Sequence, residues 1–155
     1  MKMPWGKIIG ARLVQVSNPH TTTLKLLLRN DAEETSTIYV AWGVWSFFKD
    51  KECLGDSEAP AFVDFLSVLE GLKVVRLVMI NSLPKEGEKW RVRAVIGFEG
   101  GYRLVVWPHD EQLRKDIALE HPERGILPDE PSELLQVFMG DVNVFFWSDG
   151  LVRPA

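Results

Sequence analysis

The stretch Ile38-Tyr39-Val40-Ala41-Trp42-Gly43-Val44-Trp45-Ser46-Phe47-Phe48 constrains the fold more than any other part of the chain. Large apolar and aromatic side chains fill most of its positions. Both sides of such a backbone need cover, or the run is itself a contact surface. Beside an amphipathic segment at 58–70, it reads as a central strand packed between a helix and a second apolar layer. Gly43 is the expected bend or bulge. Only some of Tyr39, Trp42, Trp45 and Phe47 then remain for a partner.

A chain of 155 residues can bury a sizeable core, and it is expected to form one domain over 1–155. With 46% hydrophobic and 26% charged residues, it falls outside the range of disordered sequences. Its 6 tryptophans, at 5, 42, 45, 90, 107 and 147, all lie in or at the ends of strand-like segments. The formal net charge of −4 argues against a nucleic-acid or anionic-membrane binder. A lone cysteine, Cys53, permits no intramolecular disulfide. Gly10 and Arg12 interrupt the first apolar stretch, which therefore lacks the form of a signal peptide. No run approaches the ~20 apolar residues of a membrane helix. The expectation is a soluble, cytoplasmic protein.

Periodicity sets out the elements. Strands are expected over 7–17, after which Asn18-Pro19-His20 turns the chain, and over 22–29, where Leu24, Leu26 and Leu28 share a face and Leu27 breaks the alternation. Asn30 to Ser36 reads as a loop leading into the aromatic run, and the three strands form an antiparallel meander. Asp50 to Ser57 reads as a charged loop. A helix over 58–70 follows, its stripe made of Phe62, Phe65, Leu66 and Leu69, and Gly71 closes it. Further strands are expected over 73–81, 90–98 and 102–107, the last two joined as a hairpin by Glu99-Gly100-Gly101. A second helix is expected over 110–120, a short one over 132–139, and a final strand over 141–147. These elements imply an α+β fold: a mostly antiparallel sheet of about six to seven strands, with two main helices packed on one face.

The hairpin offers the best candidate surface. A three-residue loop pairs Ile96 with Leu104 and Ala94 with Val106. Arg91, Arg93, Arg103 and Trp107 then share one side, and Arg93 sits opposite Trp107. A guanidinium over an indole leaves donors for a carboxylate or phosphate. His109 and Asp110 follow at a junction that could carry a general base, although Asp110 is already explained as a helix cap. Trp42 and Trp45 join the candidate set from the aromatic run. No zinc, EF-hand, Gly-rich phosphate or nucleophile-elbow motif occurs, and neither a metal nor a cofactor is expected.

The leading expectation is a binding module without catalysis, contacting a protein partner or its own copy through an aromatic-rich sheet face or edge. One alternative is a small enzyme or carrier that uses Arg93, Arg103, His109 and Asp110 on a compact anionic ligand. Another is a single-stranded nucleic-acid binder on the Arg-Trp face, which the acidic balance disfavours.

Overall fold

The aromatic run is not one strand. In the computed structural model it divides between two sheets, with β3 (Thr35–Ala41) in one and β4 (Val44–Lys49) in the other. Ile38 and Val40 point into the core, and so do Trp45 and Phe47. The inward parity thus switches from even to odd across positions 42 and 43. One continuous strand would put the second pair on the opposite side from the first. The structure describes residues 3–20, 23–41, 44–57, 62–81, 92–108, 116, 119–120, 122–124 and 133–155.

Among the described residues, eleven strands are arranged in two antiparallel sheets. The first holds β1 (Arg12–His20), β2 (Thr23–Arg29), β3, β9 (Glu133–Met139), β10 (Val142–Trp147) and β11 (Val152–Pro154), in that spatial order. The second runs β5 (Glu52–Asp56), β4, β8 (Tyr102–Trp107), β7 (Val92–Phe98) and β6 (Val74–Asn81). The expected meander is present, since β2 pairs with both β1 and β3. Leu24, Leu26 and Leu28 face inward, and Leu27 takes the outer side opposite Thr37. Residues from both sheets fill one apolar layer.

The start of β1 also joins the start of β6. Gly10 N–H donates to Val74 O at 2.7 Å and Val74 N–H to Ala11 O at 2.8 Å. Leu13 N–H donates to Leu72 O at 2.9 Å, and Gly71 N–H to Leu13 O at 2.7 Å. An edge of one sheet is thereby fastened to an edge of the other.

The α+β expectation with two main helices is overturned. Glu133–Met139, expected as a helix, is a strand between β3 and β10. Leu135, Val137 and Met139 point into the core at a period of two, and pairing on both edges satisfies the backbone that a helix would satisfy internally. The helix expected over 58–70 is α1 (Phe62–Leu66), followed by a 3-10 turn at Ser67–Leu69. Of the expected stripe, Leu66 and Leu69 are fully buried and Phe65 packs against the core. Residues 58–61 lie outside the described residues. Of the helix expected over 110–120, only Asp116, Leu119 and Glu120 are described, and these are helical. The charged loop of 50–57 is in fact the edge strand β5, and Asn18-Pro19-His20 belongs to β1. Position 7 closes a 3-10 turn, Trp5–Lys7, ahead of β1.

Helix α1 sits over the aromatic end of the second sheet. The Phe65 ring stacks on Phe47 at 6.1 Å and tilts against Trp45 at 6.2 Å. Phe47 stacks in turn on Tyr102 at 5.8 Å, and Lys49 Nζ lies 4.3 Å from the centre of the Tyr102 ring. A column of three rings capped by a cation therefore fastens the helix to β4 and β8.

Candidate functional site

The hairpin has the three-residue loop. Ala94 pairs with Val106, Ile96 with Leu104 and Gly97 with Arg103. Gly100 and Gly101 take φ of 79° and 81°, the left-handed region that a side chain would strain. This register sends Ala94, Ile96, Leu104 and Val106 into the core, where all are fully buried. Arg93, Val95, Arg103, Val105 and Trp107 lie on the outward side.

Neighbouring strands extend that side. Val44, Ser46 and Phe48 of β4 stand opposite Trp107, Val105 and Arg103. The Arg93 guanidinium lies 5.3 Å from the centre of the Trp107 ring, and that of Arg103 lies 4.5 Å from the centre of Phe48. Trp107 Nε1–H donates to Ser46 Oγ at 3.2 Å, which fixes the indole in the sheet plane's lee. Arg103 Nη1 donates to the backbone carbonyl of Asp50. Asp50 itself takes φ of 52° at the turn into β5, and its N–H donates to Gly101 O at 2.8 Å. Val95 and Val105, each 5% exposed, form the ground between the two stacks.

The structure thus brings Arg93, Arg103 and Trp107 together on one face. Trp45 is not with them. It points into the core at 2% exposure, and its backbone N–H is bonded to Ser57 Oγ at 3.2 Å. The parity switch at 42–43 is the reason. Trp42, Arg91, His109 and Asp110 lie outside the described residues.

The first sheet carries a second aromatic face that sequence reasoning missed. Lys25, Tyr39, Gln136, Phe145 and Arg153 follow one another in register across five strands, from β2 to β11. Phe138 packs edge-on to Tyr39 at 5.5 Å, and Phe145 packs against Trp147 at 6.1 Å. This face is largely satisfied from within. Arg153 lies over Trp147 at 5.3 Å and makes a two-pronged ion pair with Asp149, at 2.6 and 3.2 Å. Gln136 Nε2 donates to Asn143 Oδ1 at 3.3 Å. The sequence signal was the odd-numbered alternation of 143, 145 and 147, but it needed β9 as a strand to become a surface.

Among the described residues, three carboxyl groups are clearly perturbed. The bond from Arg153 holds the Asp149 carboxyl below its ordinary value, and bonds from Asn30 and then Lys7 lower Glu34. Loss of hydration raises Glu133, at the start of β9. None of these groups faces the hairpin stacks. Among the described residues no set of three or more His, Cys, Asp or Glu side chains could hold a metal ion. Cys53 is exposed on β5. No helix of the described residues is long and apolar enough to cross a membrane. No family model matches the chain, and neither a curated protein nor a solved structure matches it.

Proposed function

We propose that the chain is a binding module that acts without catalysis and contacts a protein partner through the outward face of its second sheet. The observation that carries this reading is the pair of arginine–aromatic stacks on adjacent strands, Arg93 on Trp107 and Arg103 on Phe48. A guanidinium on a ring is partly desolvated and already ordered, so little rotamer freedom is lost when the face meets a partner. Tryptophan and arginine are the side chains that most often dominate interface energies. Val44, 39% exposed beside Trp107, extends the face with apolar surface.

The test compares the wild type with a Val44→Lys, Arg93→Glu double variant. Affinity capture identifies retained partners, and light scattering detects a second copy. The expected result is a partner or dimer that the variant loses while its melting curve keeps its shape. A strictly monomeric wild type that retains nothing, or a partner held equally by both proteins, overturns the proposal.

A further inference from the structure

We infer that Arg29, Arg12 and Lys73 form a binding site for a phosphate group where the edges of the two sheets meet. The site lies apart from the face proposed above and stands on different observations. The register sets Arg12 of β1 directly opposite Arg29 of β2 on one side and Lys73, just before β6, on the other. Their chain neighbours Leu28, Ala11, Leu13 and Val74 are buried, so the three cations project outward in one row. Across two strand spacings the outer Cα atoms stand about 10 Å apart. Like charges directly opposite one another disfavour pairing, and here three follow in succession.

The row is open and only partly neutralised. Arg12 and Arg29 are exposed, and a Cβ placed on Gly10 or Gly71, beside the row, would meet nothing within 4 Å. Among the described residues, Glu99 is the carboxylate that reaches it. Its Oε1 accepts the Lys73 backbone N–H at 2.7 Å and lies 3.9 Å from Arg12 Nη1. Arg12 Nη1 also donates to Gly71 O at 2.8 Å, which holds the guanidinium at the seam. Among the described residues, no ion pair or hydrogen bond engages the side chain of Arg29 or Lys73.

The surroundings limit the occupant to a compact one. Asp31 and Glu33 are exposed in the turn after Arg29, and Glu34 is held there by Asn30 and Lys7. Val14 and Val75, 39% and 55% exposed, bound the row along the strands. A long polyanion would meet the acids, whereas one doubly charged group suits three neighbouring cations. A phosphate offers acceptors in three directions, and a carboxylate offers them in one plane.

The probe is glycerol 3-phosphate, titrated calorimetrically into the full chain at about 0.02 M salt. Acetate is the control anion. Cosedimentation with vesicles of phosphatidylcholine and phosphatidate asks whether the same group is taken from a lipid. Binding is expected to be saturable and to weaken about tenfold with Arg29→Gln and with Lys73→Gln. Lys51→Gln, at an exposed turn of the second sheet, should leave it unchanged. Each row variant removes one of three like charges, so neither is expected to lower the melting temperature, and lost binding then reports the site. Vesicles bound with the same sensitivity to both variants assign the phosphate to a lipid headgroup, and binding of glycerol 3-phosphate alone assigns it to a soluble ester. No binding of either probe, binding unchanged by both row variants, or acetate bound as tightly as the ester each overturns the inference.

Discussion

A Cβ placed on Gly55 would stand 2.8 Å from Cζ of Phe65. Glycine at this point of β5 lets the ring of α1 lie directly on the edge strand. Phe65 has little room to swing aside, because Phe47 and Trp45 hold it.

Gly55→Ala is therefore expected to destabilise the fold by about 1–3 kcal/mol, the range of overpacking in a filled core. Phe65→Leu should relieve part of that cost in the double variant. Urea unfolding of the two single variants and the double variant closes the cycle. Additive losses would show that the glycine matters for some reason other than the ring.

The buried stripe of α1 should be far more sensitive than its outer side. Leu66→Ala is expected to cost about 2–5 kcal/mol, and Val68→Ala less than about 0.5 kcal/mol. Leu66 is fully buried, whereas Val68 is 48% exposed in the following 3-10 turn. Equal losses would contradict the packing of the helix against the aromatic column.

Acid should weaken the fold through Asp149. Its folded pKa lies below the unfolded value because Arg153 binds the charged form, so the unfolded state takes up protons first as pH falls. The stabilisation is present above about pH 4 and is lost as pH drops toward the folded value. Asp149→Asn should lower stability at neutral pH and flatten this part of the profile. Glu133 has the opposite sign, since partial loss of hydration raises its pKa, and because the side chain is still exposed to solvent its ionisation opposes folding only weakly. Glu133→Gln should leave acid stability unchanged and raise stability at neutral pH. Unfolding curves across the acid range measure both effects.

Amide exchange should rank the strands by their neighbours. The amides of Leu135 and Val137 on β9, which pairs on both edges, should exchange near the global unfolding rate. Amides on β11, a three-residue edge strand, should exchange much faster. A fast β9 would mean that 133–139 is not the interior strand described.

The hairpin was legible because its register depends only on a short loop between two alternating segments. The placement of Arg93 over Trp107 followed from that register alone. β2 was legible from its alternating leucines, and β6 as a short, almost entirely apolar run. β9 was not, because Leu134 and Leu135 are both buried, at 2% and 1%, and consecutive buried leucines imitate a helix stripe. Its partner β3 also lies about a hundred residues upstream, beyond any local pattern. β5 escaped notice because an edge strand is protected by the same charges that mark a loop. The place of Trp45 was harder to read, because the run reads as one strand bent at Gly43, whereas it divides between β3 and β4 and its inward parity differs between Val40 and Trp45. The first sheet's aromatic face was lost with β9.

The bonds joining residues 10–13 to 71–74 have a consequence for timing. While the chain is being made, the first strand leaves the ribosome long before the sixth, and its free edge waits on some sixty residues of later sequence. The pairing of β3 with β9 asks for a still longer wait. Such closures commit much of the chain's freedom before the contacts reward it, and folds of this kind form in milliseconds to seconds rather than microseconds. A newborn copy therefore spends that interval with its β1 edge open, exposed to other nascent chains and to the chaperones that shield them.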